Sequence, residues 1–193
     1  NPLSTPAALL DPAVVAGAPD GILLPKVDGP ADIVRLSHCL DALEVREGVA
    51  PGSIWIMPVA TETAPSLFTL GTYGGCSPRL HGLTWGAEDI AAALGASANR
   101  RHDGEYDTVF ALAKALCLAG AVAAGVQPVD TIWADYKNDE GLRAEAAQSR
   151  RSGFTGKIAI HPGQVDSINA AFSPTPEELD WSRRVVALFA ENP

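Results

Sequence analysis

Positive charge is scarce in this 193-residue chain: 14 lysines and arginines stand against 23 aspartates and glutamates, a formal net charge of −9 at pH 7. An acidic balance repels a phosphate backbone unless a local basic patch overrides it. No such patch is present, so a nucleic-acid partner is not expected. Cysteine is scarce as well. Cys39, Cys76 and Cys117 are widely spaced, odd in number and form no CxxC pair, which points away from a disulfide framework or a zinc site and towards a reducing cytoplasm. No run reaches the roughly 18 apolar residues of a membrane span, and the first residues show no basic-then-apolar signal pattern. The most apolar helical run, "FALAKALCLAGAVAAG", is interrupted by Lys114 and by glycine, so it reads as a core helix rich in alanine. Methionine is nearly missing: Met57 lies inside an apolar segment and the chain opens at Asn1, so residues upstream are expected.

What is present is apolar material for one domain over 1–193, with 47% hydrophobic and 19% charged residues. Short apolar runs alternate with longer helical ones, the pattern of βα units and a parallel sheet. Strands are predicted at 21–27, 53–60, 80–86, 128–135 and 156–162. Helices are predicted at 31–47, from Pro65 over 65–73, at 88–95 ending on Gly95, at 105–124, at 140–153 ending on Gly153, around 163–171 and at 176–191. The stretch 95–107, "GASANRRHDGEYD", is the expected mobile loop. Five strands cannot close a (β/α)8 barrel. Either the sheet is open, as in a doubly wound fold, or the first strands lie upstream of Asn1.

Each predicted strand delivers an ionisable residue at its C-terminal end: Lys26, Glu62, Asp89, Asp135 and His161. In parallel α/β folds the C-terminal strand ends are where active sites are built. Glu62 and Asp89 are one βα unit apart, so adjacent parallel strands about 4.8 Å apart would bring both carboxylates to one rim. Two such groups repel unless one is protonated or a cation lies between them. Oxygen ligands without nearby cysteine or paired histidine suit a hard ion such as Mg2+. The plainer alternative is that Glu62 and Asp89 cap the helices beginning near 65 and 90.

The blocks "PDGILLPKV", "ATETAPSLF", "GLTWGAEDIAAALG" and "DTIWADYKNDEGLRAEAAQSRRSGFTGKIAIHPGQVDSINAAFSPT" resemble successive blocks of the HpcH/HpaI aldolase and citrate lyase beta-subunit family, especially its citryl-CoA and malyl-CoA lyase branch. The resemblance runs over nearly the whole chain. It implies an α/β fold, a TIM (β/α)8 barrel incomplete in this sequence, with strands 4 to 8 present and the first strands and C-terminal lid missing. It implies Mg2+ held by Glu62 and Asp89 as catalytic residues. It also implies cleavage or formation of a carbon–carbon bond in a CoA thioester, giving an acyl-CoA and a 2-oxo acid. Backbone N–H groups of Gly86, Ala87 and Glu88 would then receive the substrate carboxylate, as helix N-termini do for anions.

The residues "NPLST" look like those just after the family's third strand, whose substrate-binding arginine would precede Asn1. An acidic part of the site would also lie upstream. The family's lid, carrying a catalytic aspartate to a neighbouring subunit, would follow a helix like 176–191. A homo-oligomer, trimeric or larger, is implied. Two other readings stay open: a class II pyruvate aldolase acting on free hydroxy-oxo acids, and an inactive barrel serving as a binding subunit.

The remaining candidates read more plainly. His161 orients a loop or acts as a base; Lys26 forms a buried ion pair, binds a carboxylate or forms a Schiff base; Asp135 and Asp139 contact the site or a CoA-facing loop, or Asp139 caps the helix near 140. Arg100 and Arg101 attract CoA phosphates or are simply solvated. His38, His81 and His102 share no metal-site spacing, and no GxGxxG follows a strand, so a Rossmann site has little support. Trp55, Trp85 and Trp133 are expected in the core.

Overall fold

Five short strands form in the computed structural model, which describes residues 12–191, the first two in apolar runs and the others no more than four residues long. They are β1 (Gly21–Leu24), β2 (Trp55–Pro58), β3 (Gly82–Thr84), β4 (Gln127–Asp130) and β5 (Gly156–Lys157). β1 pairs parallel with β2, and β3, β4 and β5 pair parallel in that order. Parallel bridges Ile56 to Leu80 and Val59 to Thr84 join β2 to β3, with Ile56 N–H donating to Arg79 O at 2.7 Å and Ala60 N–H to Thr84 O at 2.7 Å. The strand order is therefore sequential, without the reversal that defines a doubly wound sheet. Five strands do not make a closed eight-stranded barrel, and none is formed by the described residues. The expectations placed on residues 1–5 lie outside them.

Helices fill the crossovers: α1 (Pro12–Ala16), α2 (Pro30–Glu47), α3 (Ala87–Leu94), α4 (Thr108–Ala124), α5 (Asp139–Ser152), α6 (Val165–Phe172) and α7 (Pro176–Glu191). Four of them, α2 to α5, stop at a glycine in the left-handed conformation, Gly48, Gly95, Gly125 and Gly153, because only glycine enters that region without a Cβ penalty. The stripe Ile33, Leu36 and Leu40 of α2 is buried in one core cluster with Ile22, Leu24 and Ile56 of the strands and Ile54 just before β2. No helix among the described residues is long and apolar enough to cross a membrane.

The segment 65–73 is not one helix but two 3-10 turns, Pro65–Phe68 and Leu70–Thr72. Hydroxyls recur there every third residue and take the carbonyl three positions back: Ser66 Oγ donates to Thr63 O at 2.7 Å, Thr69 Oγ1 to Ser66 O at 3.0 Å and Thr72 Oγ1 to Thr69 O at 2.7 Å. Such bonds compete with the α-helical ladder and suit the tighter turn. The strands also end earlier than their apolar runs. Lys26 turns the chain aside with φ 58°, and Gln164 Nε2 and Trp133 Nε1 hold 133–138 as a loop through Trp133 O (2.9 Å) and Asn138 O (3.1 Å). Trp133 is thus outside β4 and only partly buried, and Trp55 is half-covered, stacked on His81 at 5.4 Å; Trp85 alone of the three is core. The stretch 95–107 is tied into a hairpin by Arg101 N–H to Glu105 O (2.8 Å), Asp107 N–H to Asn99 O (3.0 Å) and the Arg100–Tyr106 bridge.

At the end of the sheet where the strands begin, Glu44 is fully buried. Its carboxylate accepts from Gly52 N–H (2.7 Å), Ile54 N–H (3.0 Å) and the Arg79 guanidinium (2.5 and 2.7 Å), which also holds Asp41 at 2.6 Å. The bond from Arg79 and these N–H groups outweigh burial and hold Glu44 down to about 2 from an ordinary 4.5. A folded-state value below the unfolded one stabilises the fold above the unfolded value and ceases to as pH falls through the folded value. Stability therefore drops between about pH 4.5 and about 2, and in Glu44→Gln the part of that slope due to Glu44 is expected to vanish in urea melts taken across the window.

Candidate active site

Three consecutive strand ends deliver Lys26, Glu62 and Asp89 to one place. Glu62 follows β2 after the short turn 59–61 and is buried, at 8% exposure. Its Oε2 accepts the backbone N–H of Lys26 at 2.5 Å. Lys26 follows β1 by two residues in the left-handed region, a conformation that costs energy for a residue with a Cβ. From β3 the chain passes Gly86 into α3, whose first turn carries Asp89. A Cβ on Gly86 would lie 3.3 Å from Glu62 Cγ and from Val59 Cγ1, so the missing side chain there leaves room for the Glu62 stem. Gly86 N–H donates to Thr61 Oγ1 at 3.0 Å, which fixes the α3 entry to the residue before Glu62.

The Lys26 ammonium pairs with Asp89 Oδ1, and the Glu62 and Asp89 carboxyl groups stand within hydrogen-bonding reach of each other. Burial, reinforced by Asp89, pushes the Glu62 carboxyl up, although the Lys26 N–H opposes it. The bond from the Lys26 ammonium holds Asp89 below the ordinary carboxylate range. One carboxyl of the pair is thus driven to keep a proton, or to take a cation in its stead, while the other stays ionised.

The capping alternative does not hold for either acid. The 3-10 turn after Glu62 and helix α3 have no side-chain cap at their N-cap residues, Ala64 and Gly86. The carboxyls face Lys26 and each other instead. Lys26 forms an ion pair as one reading had it, but a half-exposed one, with 54% and 48% of the two side chains accessible. Of Gly86, Ala87 and Glu88, the N–H of Gly86 is engaged by Thr61, and the α3 N-terminus that carries the other two has no side-chain cap.

Asp135 and His161 are not brought to this cluster as strand-end residues. β4 stops at Asp130 and β5 at Lys157; Asp135 is exposed in the following loop. His161 caps the turn Pro162–Gln164, accepting Gly163 N–H on Nδ1 at 3.0 Å, and stacks on Tyr136 at 4.9 Å. The N-cap of α5 is Asn138, while Asp139 accepts from Ser167 Oγ (2.6 Å) and Arg143 Nε (2.7 Å). Arg100 and Arg101 are paired with Glu145 (2.7 Å) and Asp103 (3.1 Å).

A second polar cluster went unread in the sequence. Asp130, fully buried, accepts from Trp85 Nε1 (2.7 Å), Ser149 Oγ (2.6 Å) and Lys157 Nζ (3.0 Å), with Lys114 Nζ at 3.2 Å; Lys157 also donates to Glu145 at 2.8 Å. The signal was available: Asp130 in the middle of "PVDTIWAD" and Lys157 in "GKIAIHP" are opposite charges set inside apolar runs, which stay buried only when paired.

Two adjacent carboxylates, oxygen donors only, fit a hard divalent ion such as Mg2+, which takes one or two carboxylates and keeps waters or substrate oxygens in its other positions. An ammonium already drawn onto Asp89 marks the spot as cation-seeking. Among the described residues no group of three or more His, Cys, Asp and Glu side chains could hold a metal, so the pair would bind it together with non-protein oxygens.

The family model for HpcH/HpaI aldolase/citrate lyase matches residues 1–162. The chain belongs to the HpcH/HpaI aldolase/citrate lyase family. It is 36% identical over 172 residues to a (3S)-malyl-CoA thioesterase of Cereibacter sphaeroides, covering 89% of this chain and 54% of that protein. It is 34% identical over 174 residues to the citrate lyase subunit beta of Escherichia coli K12, covering 90% and 56%. The solved structure of the protein CitE from Mycobacterium tuberculosis, in complex with magnesium, acetoacetate and coenzyme A, superposes with a TM-score of 0.73 at 30% identity, covering 99% of this chain and 66% of that one. The chain spans about half the length of the curated relatives it matches. The α/β architecture is thus that of citrate lyase beta-subunit structures, and the Glu62 and Asp89 loops fall inside the matched family region.

Proposed function

We propose that this chain carries the metal-binding half of a Mg2+-dependent carbon–carbon lyase. The enzyme splits a hydroxyacyl-CoA thioester of the citryl-CoA or malyl-CoA type into an acyl-CoA and a 2-oxo acid. The observation that carries the reading is the contact of Glu62 with Asp89 at adjacent strand ends, within a family whose solved members include one complexed with magnesium and coenzyme A. In this reading β1 to β5 are the fourth to eighth strands of a TIM barrel, the protein is cytoplasmic, and it assembles as a trimer or larger.

When bound, Mg2+ supplies positive charge that polarises the oxygens of the oxo-acid moiety. The chain's own residues prepare the place for it. Glu62 and Asp89 bind the ion, the Lys26 N–H fixes Glu62, and the uncapped start of α3 offers the Ala87 and Glu88 amides to the substrate carboxylate. Burial of Glu62 keeps bulk water away from one side of the site and strengthens the charges acting there.

The test is metal depletion of the full chain with a chelator, followed by assay on malyl-CoA, citryl-CoA and the free hydroxy-oxo acids, with products identified. Expected is loss of thioester cleavage on depletion and its return with Mg2+, with acyl-CoA and oxo acid formed one to one. Turnover of free acids alone would make the protein a pyruvate aldolase. Free CoA with an intact hydroxy acid would make it a thioesterase, the activity for which the Cereibacter relative is named. Thioester binding without product would make it a binding subunit.

A further inference from the structure

Lys26 makes two contacts of different kinds with the two acids. Its backbone N–H donates to Glu62 Oε2 at 2.5 Å, and its ammonium pairs with Asp89 Oδ1. The first is fixed by the main chain, at a residue held in the left-handed region with φ 58°. Local strain of this kind persists where the surroundings over-determine it and gathers at functional sites. The second hangs on a flexible four-carbon stem whose side chain is 54% exposed, so it has solvent to swing into, and an exposed ion pair of this sort is weak. Glu62 is therefore permanently anchored, and Asp89 is held by a cation that can leave.

We infer that Lys26 is the resident counter-ion of the carboxylate pair: its ammonium occupies the side of Asp89 that a divalent cation takes, and metal entry displaces it while the Lys26 N–H keeps its hold on Glu62. The inference rests on the metal reading of Glu62 and Asp89. Charge requires the exchange. With both carboxyls ionised, the cluster carries two negative charges and one positive; a divalent ion seated beside a retained ammonium would put two cations against one small pair of acids. Like charges at that range repel strongly in a partly buried site. The ammonium must withdraw, and the work of withdrawing it weakens metal binding.

The consequence is a competition that mutation can remove. Calorimetric titration of the metal-free full chain with Mg2+ or Mn2+ is expected to show Lys26→Met binding the ion about two- to fivefold more tightly than the wild type, the range for losing a weak competing ion pair. Lys26→Arg, which keeps the charge, should bind no more tightly than the wild type. Lys26→Gln is measured alongside, so that misfolding of the methionine variant leaves the comparison intact, and circular dichroism checks each fold. The advantage of the uncharged variants should shrink as salt rises, because an exposed pair is screened. Unchanged or weaker binding in both uncharged variants overturns the inference. Failure of the underlying reading looks different: Glu62→Ala and Asp89→Ala would then titrate like the wild type.

Discussion

Replacing Asp89 by asparagine is expected to cut Mg2+-dependent turnover by about a hundred- to a thousandfold, the scale on which single electrostatic groups act in catalysis, while the protein remains folded. Asp89 is 48% exposed on its side chain and its partner Lys26 is 54% exposed, so losing the ion pair changes stability by less than about 1 kcal/mol. The loss falls on the metal, because an amide oxygen is a neutral and weaker ligand than a carboxylate for a hard cation. Glu62→Gln separates two roles of the other acid. Its amide oxygen can still accept the Lys26 N–H that Glu62 Oε2 now accepts at 2.5 Å, so the loop stays anchored, but the second negative charge is gone. A similar drop in turnover is expected, together with weaker Mg2+ binding. In Glu62→Ala the anchor is lost too, and the left-handed Lys26 loses what holds it there. Steady-state rates over a Mg2+ series, paired with urea melts, decide the matter; undiminished turnover in both Asp89→Asn and Glu62→Gln removes the proposed chemistry.

That this pair could be found in sequence follows from the period of βα units, which sets successive strand ends side by side. The periodic helices were legible for a related reason: α2, α3 and α5 are bounded by glycines whose left-handed conformation no other residue adopts freely. The strand ends were not legible to the same degree. An apolar run such as 128–135 continues past the point where the ladder stops, with Ile132 and Trp133 in the following loop and only partly buried, so its length marks Asp135 as a strand-end residue when Asp130 is the one that ends β4. The segment after Glu62 misled in the opposite sense, because its apolar spacing suits a helix while its hydroxyls at 63, 66, 69 and 72 favour 3-10 turns. Lys26 was read as a member of the strand-end series, but its backbone N–H, the contact that fixes Glu62, belongs to a backbone turn that composition does not encode.

Asp130→Ala is expected to destabilise the protein by about 3–5 kcal/mol, the cost of breaking a buried charge cluster from one side. Burial opposes the charge of Asp130, but Lys157 and Lys114 outweigh it and hold its carboxyl below the ordinary range. Removing it leaves the Trp85 indole N–H and the Ser149 hydroxyl without their acceptor and the fully buried Lys157 ammonium with Glu145 alone. The double variant Asp130→Ala/Lys157→Met should recover part of the loss in urea melts, since it removes the fully buried ammonium together with its acid, while Lys114, 17% exposed, keeps the Ser149 hydroxyl. The effect is also expected to reach the proposed metal site. Trp85, tethered to Asp130 at 2.7 Å, is the residue before Gly86, and Gly86 leads directly into the first turn of α3 that carries Asp89. Freed of that tether, the start of α3 loses one of the bonds that set its place, while Thr61 Oγ1 still accepts from Gly86 N–H at 3.0 Å and donates to Gly86 O at 3.4 Å. Weaker Mg2+ binding is therefore expected even in the repaired double variant, at denaturant-free conditions where both proteins are folded, because restored stability does not restore the indole's acceptor. If the double variant instead binds Mg2+ like the wild type, the Thr61 bond suffices to place Asp89 and the buried cluster serves stability alone.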